Sequence, residues 1–129
     1  MLMAKFGDAA LIAVQLIVEH GTYPPIAWQQ ATNAVFGKGS SQADKGCPKG
    51  AFLGLCEEGL VEGVACGNYT NSVLNKGYAV TAVHLLRTKP ELEENTSELW
   101  REVAGSGKTH NNQMTVVLAL LRAGRIASI

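Results

Sequence analysis

The sequence lacks a long apolar run. Its longest, Ala9 to Val18, has ten residues and is interrupted by Gln15, whereas about 20 apolar residues are needed for a helix to span a bilayer. Asp8 precedes this stretch, and Glu19-His20 follows it where the small residues of a signal-peptide cleavage site would stand. We therefore expect no membrane-spanning segment and no cleaved signal, and we interpret the stretch as a structural helix.

The chain also lacks net charge and an even number of cysteines. Eleven basic residues balance eleven acidic ones, so no overall field draws the protein to nucleic acid or to an anionic membrane. Cys47, Cys56 and Cys66 are separated by eight and nine residues, a spacing that fits neither a disulfide framework nor a zinc knuckle. We expect reduced thiols in a cytoplasm, no bound metal and no cofactor.

What the sequence does have is helical periodicity. A chain of 129 residues with 47% apolar side chains has the size of one domain with its own core, so we predict a single helical domain over residues 1–129. Helix-start and helix-stop residues predict an all-α, compact bundle of five to six helices with glycine-rich connections, and at most a minor strand or hairpin near residues 60–68. The predicted helices are Asp8 (N-cap) to Gly21, Pro24 to Gly37, Pro48 to Gly59, Ser72 to about Thr88, a segment after Pro90 through Val103, and Gln113 to Ala123 capped by Asn111 or Asn112.

The first and the last predicted helices are apolar around most of their circumference. Their polar residues form one narrow stripe on each helix. A small domain has little deep interior in which to bury two such helices. We therefore expect a homo-oligomer, with a dimer as the first hypothesis.

Four segments together resemble a small family of uncharacterised bacterial proteins. They are FGDAA at 6–10, GCPKGAFLGLCEEGLV at 46–61, GNYT at 67–70 and HNNQM at 110–114. The resemblance spans nearly the whole chain and implies a bacterial cytosolic protein. Because the family is known only as a domain of unknown function, it supplies no catalytic residues.

One pair of residues has the types needed for nucleophilic catalysis. Cys47 precedes Pro48 at a predicted helix start and lies between Lys45 and Lys49, and a helix N-terminus with neighbouring cations favours the thiolate. His110 is the only histidine in a polar cluster, so it is the candidate base. The competing interpretation, which we favour, is a structural or merely exposed cysteine.

Two polar, glycine-rich segments each lead into a predicted helix. Backbone N–H groups at helix starts with nearby ammonium groups form natural anion sites, and Tyr69 lies in a glycine turn where it could face a ligand. The alternative is two solvated loops. The candidate ligand-binding residues are Lys38, Lys45, Lys49, Tyr69, Lys108, Asn111 and Asn112.

Two segments partly match a nucleotide-binding loop and a DNA-recognition helix, but each lacks residues that the motif requires. The segment Gly105 to Thr109 has Glu102 where a P-loop requires glycine, and it follows a helix rather than a strand. The third predicted helix ends in Glu57-Glu58 and contains no arginine, which argues against a DNA-recognition helix. The sequence favours a non-enzymatic binding or interaction module with a small anionic ligand. A cysteine-dependent enzyme or redox-active thiol protein is the alternative, and a nucleic-acid-binding protein is the second alternative.

Overall fold

The computed structural model describes residues 5–127, and this part of the chain folds into six α-helices. Two short 3-10 helices, Gln42–Asp44 and Pro90–Glu94, lie in the connections. The β-structure of the described residues is a single antiparallel bridge between Val61 and Ile126, so the chain near residue 60 pairs with its own C-terminal region rather than in a hairpin. The all-α prediction is confirmed. The helices are α1 (Lys5–His20), α2 (Pro24–Phe36), α3 (Gly46–Glu57), α4 (Val73–Thr88), α5 (Thr96–Ala104) and α6 (Gln113–Arg122).

The centre of the bundle is formed by α3 and α6. Every residue of α3 from Gly50 to Cys56 is buried, and α6 packs against α1, α3, α4 and α5. On the α2 side of the core, the Trp28 ring stacks on Phe52 with ring centroids 5.1 Å apart. Since the two central helices are covered by the other four, the apolar surface of α6 is largely buried within one chain.

The coverage of α1 within one chain is incomplete. One face is buried, but Leu11, Ile12, Leu16 and Ile17 are only partly covered and Val18 is 46% exposed. The most deeply buried helix is α3, because it lies between the other helices whereas α1 lies at the surface. The reason given above for an oligomer therefore holds for part of α1 and not for α6.

At the starts of α1 and α6 the capping differs from that predicted. The first helix begins at Lys5, so Asp8 lies in its first turn and is not its N-cap. The Asn112 side chain does not cap α6; instead, Nε2 of His110 accepts a hydrogen bond from the Met114 N–H at 3.0 Å. A side chain three or four residues away in a loop can satisfy a helix N–H as well as the adjacent residue can.

Glycines allow α3 and α4 to approach closely. A methyl group added at Gly54 would lie 2.7 Å from Cα of Lys76, and one added at Gly50 would lie 2.7 Å from Oγ of Ser72. Any side chain at these positions would push α4 outward. The pair of glycines therefore fixes the position of α4, and of the segment that leads into it, against α3.

None of the helices between residues 5 and 127 combines the length and apolar character needed to cross a bilayer.

Candidate functional site

Glu57, at the C-terminal end of α3, holds the segment that leads to α4. Its Oε1 accepts hydrogen bonds from the backbone N–H groups of Tyr69 at 2.7 Å and Thr70 at 3.1 Å. Its Oε2 lies 2.5 Å from Nζ of Lys76, which also pairs with Glu58 at 2.6 Å. One carboxylate thus joins α3, residues 69–70 and α4.

The charge state of Glu57 follows from these partners. The Lys76 ammonium, followed by the two backbone N–H groups, lowers the pKa of Glu57 to about 2. The same contacts raise the pKa of Lys76, with Glu57 as the larger cause and Glu58 as the next. Both groups are therefore charged at neutral pH, and the negative charge of Glu57 is compensated locally.

Tyr69 is fixed by contacts on both ends of its ring. The ring lies over Gly67, where an added methyl group would come within 2.8 Å of Cζ, and the hydroxyl donates to the Ala65 carbonyl at 2.7 Å. Tyr23 packs against it edge-on at 5.7 Å between ring centroids and donates its own hydroxyl to the Asn68 carbonyl at 3.4 Å. Burial, followed by nearby thiols and the Tyr23 phenol, raises the pKa of Tyr69.

Beside this segment lies a polar pocket of about 420 Å³. On its α3 side, Lys49 and Leu53 are one helical turn apart, in line with Glu57. On the other side, Thr70 Oγ1 accepts a hydrogen bond from the Ser72 N–H at 3.0 Å, so the Thr70 hydroxyl proton stays available for a ligand. Lys49 is the one charged residue in the lining, which consists of Lys49, Leu53, Asn68, Tyr69, Thr70 and Asn71. We call this cavity the 68–71 pocket.

The structure brings two of the predicted ligand residues, Lys49 and Tyr69, into the 68–71 pocket. Lys38 and Lys45 are exposed in the connection between α2 and α3 and do not line it. The remaining predicted residues lie before α6 and do not line the 68–71 pocket. They are Lys108, Asn111 and Asn112.

The residues before α6 are organised around a buried side chain, Gln113, which is 2% exposed. Its Oε1 accepts from the Asn111 N–H at 2.7 Å, and its Nε2 donates to Oδ1 of Asn75 at 3.1 Å. Asn75 in turn donates to Oγ of Ser72 at 2.9 Å, the residue that packs on Gly50. This chain of polar contacts connects the first turns of α4 and α6, and it explains the local order of the predicted anion segment without a ligand.

The candidate nucleophile and base lie in different elements, Cys47 in α3 and His110 in the loop before α6. Cys47 is partly buried in the first turn of α3, and no hydrogen bond joins it to His110 within residues 5–127. The His110 ring packs on Trp100 with centroids 5.1 Å apart, and burial lowers its pKa. Because Nε2 accepts from the Met114 N–H, the neutral ring carries its proton on Nδ1 and has no free lone pair with which to act as a base. The third thiol, Cys56, is in the core, where burial raises its pKa.

Sequence reasoning missed Glu57, Lys76 and Gln113. Glu57-Glu58 has the pattern of an exposed acidic helix end, and only the fold places two backbone N–H groups, 12 and 13 residues later, against one of these acids. A signal was present in the spacing of Gly50 and Gly54, since glycines four residues apart on a helix permit close helix approach.

Among residues 5–127, no cluster of three or more histidine, cysteine, aspartate or glutamate side chains is arranged to hold a metal ion. Comparison with curated proteins and with solved structures finds no match to this chain. A match to a family covers residues 3–127, nearly the whole chain, and includes every residue of the 68–71 pocket. The chain belongs to this family, a family of unknown function designated DUF6979.

Proposed function

We propose that this protein is a non-enzymatic binding module whose 68–71 pocket takes a small anionic ligand, with a carboxylate or phosphate group directed at Lys49. The observation that carries the proposal is the composition of the lining: one unpaired lysine faces amide and hydroxyl groups, and no acid is among the lining residues. Within residues 5–127, Lys49 belongs to none of the ion pairs. Its charge is therefore free to be neutralised by a ligand.

The rigidity of one wall supports this proposal. The backbone of residues 69 and 70 is held by Glu57, and the Tyr69 side chain is held by Gly67, Ala65 and Tyr23. A wall that is ordered before binding loses little conformational entropy when the ligand arrives. The volume of the pocket lies within the range of about 300 to 1,000 Å³ typical of small-molecule sites.

The test is a titration followed by two-dimensional amide NMR, with inorganic phosphate and acetate as separate probes. We expect saturable shifts confined to the amides of residues 49–53 and 68–71, weaker at high salt because the contact is charged. Lys49→Met keeps the length of the side chain and removes its charge, so it should abolish the shifts. The matched control, Lys45→Met, changes an exposed lysine four residues earlier and should bind as the wild type does.

Shifts that are spread over many surface lysines, or that persist unchanged in Lys49→Met, would show only non-specific ion binding and reject the proposal. Saturation by phosphate but not by acetate would identify phosphate as the recognised group. Saturation by both would identify the shared negative charge.

The same proposal places this module in the cytoplasm of a bacterium. Three free cysteines suit a reducing compartment such as the cytoplasm, and the segments quoted above resemble bacterial proteins. The cysteine-enzyme alternative has less support, because the His110 lone pair is already used within the fold. Alkylation of Cys47 no faster than that of a free thiol at neutral pH would eliminate that alternative.

A further inference from the structure

The solvent-facing side of α4 begins with two exposed apolar side chains. Val73 is 81% exposed and Leu74 is 61% exposed, more than the other exposed large apolar side chains of the described residues. At 100° per residue, Val73, Gly77 and Thr81 lie on one stripe opposite the buried Ala79 and Leu86. We call this stripe, which also contains His84 and has Leu74 and Val80 along its edges, the outer face of α4.

Gly77 lies in the middle of this outer face. A glycine inside a helix costs about 1 kcal/mol relative to alanine. At Gly50 and Gly54 that cost is offset because α4 needs the space, but no atom of residues 5–127 lies within 4 Å of a methyl group added at Gly77. The packing of the chain therefore gives no reason for a glycine here. Close approach of another helix would give one.

The charges along one edge of the outer face have opposite signs at its two ends. Near Val73, Lys76 is paired with both Glu57 and Glu58, which leaves one net negative charge, and the Glu58 side chain is 47% exposed. Arg87 lies on the same edge of α4, eleven residues or about three turns after Lys76. Its exposed guanidinium donates one hydrogen bond to the Ala127 carbonyl at 2.9 Å and belongs to none of the ion pairs within residues 5–127. A groove of about 340 Å³ runs beside the acidic end and is lined by Val73, Gly77, Val80 and Thr81 among others.

We propose that the outer face of α4 binds a second copy of this chain, with the two α4 helices antiparallel about a two-fold axis between Gly77 and Thr81. Antiparallel pairing places the acidic end of each copy opposite Arg87 of the other, so the same ion pair forms twice. It also covers Val73 and Leu74 and brings small residues together where the helices cross. A two-fold interface requires a self-complementary surface, and a face with one sign of charge at each end meets that requirement.

The expected dimer is weak. A helix of 16 residues is about 24 Å long, and one such face is smaller than the roughly 800 Å² per partner of a standard interface. Association should therefore be visible as a dependence of mass on concentration. The interface does not include Lys49, so failure of the anion proposal would leave this one untouched, and the reverse also holds.

Sedimentation velocity from low micromolar to several hundred micromolar protein tests the proposal. The wild-type mass should rise towards that of a dimer, and Val73→Lys should weaken association at least about tenfold, which corresponds to about 1.4 kcal/mol. Ile26→Lys is the matched control, because Ile26 is 52% exposed on α2, and it should associate as the wild type does. Circular dichroism checks that each variant is folded.

The charge pattern has its own test. Glu58→Arg and Arg87→Glu should each weaken the dimer, and the double variant should restore it, because the reversed pair is again complementary. A wild type that stays monomeric at every concentration would overturn the proposal. A dimer that is equally strong in Val73→Lys would place the interface elsewhere, and failure of the double variant to recover would exclude the antiparallel arrangement.

Discussion

Glu57 is the residue with the most long-range polar contacts in the site. Replacing it with alanine leaves two partly buried backbone N–H groups, those of Tyr69 and Thr70, without their acceptor. Hydrogen bonds to a charged group contribute about 1.5–3 kcal/mol. We expect Glu57→Ala to lower the free energy of unfolding by about 2 kcal/mol in urea denaturation, and Glu57→Gln to lower it less, because the amide oxygen still accepts from the backbone.

Acid should abolish the difference between Glu57→Gln and the wild type. The folded pKa of Glu57, about 2, is lower than the ordinary value of 4.5, so its contribution is complete above pH 4.5 and is lost as the pH falls towards 2. Glu62 is an exposed acid in the same region, and Glu62→Gln is the control that should match the wild type. A Glu57→Gln variant as stable as the wild type at pH 7 would contradict this role.

His110 makes the start of α6 sensitive to pH. Its Nε2 accepts from the Met114 N–H, and protonation would remove that acceptor and place a positive charge at the positive end of a helix dipole. Burial lowers the folded pKa, so the unfolded chain binds the proton more readily; stability is complete above the ordinary pKa of 6.5 and falls as the pH is lowered through the range below it. We expect the wild-type melting temperature to drop between pH 7.5 and 5.5.

The drop should be smaller in His110→Gln, in which no imidazole titrates at this position. His84 is exposed on α4, and His84→Gln should keep the full pH dependence. An equal drop in all three proteins would assign the effect to other groups.

At the scale of elements, two glycines in neighbouring helices should respond oppositely to alanine. Gly54→Ala places a methyl group 2.7 Å from the backbone Cα of Lys76, which cannot move without displacing α4, and overpacking of this kind costs about 1–3 kcal/mol. Gly77→Ala meets nothing within 4 Å and should stabilise α4 by about 0.5–1 kcal/mol. Chemical denaturation of dilute protein measures both; equal effects of the two changes would refute the close α3–α4 contact.

The helices whose ends carry proline or glycine were predictable from the sequence. Pro24 and Gly37 delimit α2 within a residue, because proline is tolerated in a helix mainly within its first turn and glycine accepts the positive φ that follows the last turn. The start of α1 was not predictable from Asp8, since an acid favours any position of the first turn. The central position of α3 was also missed, because burial depends on which helices surround it.

The candidate site was predictable only in part. Lys49 and Tyr69 were identified from a helix start and a glycine turn, which are local signals. Glu57 and Asn75 form hydrogen bonds with residues far away in the sequence. The sequence around a charged or amide residue on a helix does not indicate which distant residue it will contact. Long-range polar pairing is fixed by the fold and cannot be derived from spacing alone.

At the scale of the whole molecule, the two tryptophans report on opposite sides of one core. Trp28 packs on Phe52 of α3, whereas Trp100 packs on Tyr78 of α4 and donates to the Lys108 carbonyl at 2.9 Å. Both belong to one continuous cluster of buried residues. If that cluster unfolds as a unit, fluorescence and circular dichroism should give the same urea midpoint in each single-tryptophan variant, Trp28→Phe and Trp100→Phe.

A substitution at the centre of the core should then lower the free energy of unfolding by the same amount whether Trp28 or Trp100 fluorescence is measured. Leu55 is fully buried in α3, and Leu55→Ala should cost about 2–5 kcal/mol whichever tryptophan reports, whereas Leu74→Ala, at an exposed position, should cost less than about 0.5 kcal/mol in dilute protein. Among residues 5–127 the buried indole N–H of Trp28 has no hydrogen-bond partner, so Trp28→Phe costs only the core volume that it removes. A loss of stability seen by Trp28 and not by Trp100 would mean that α1, α2 and part of α3 unfold separately from the rest, and the prediction of a single domain would then be wrong.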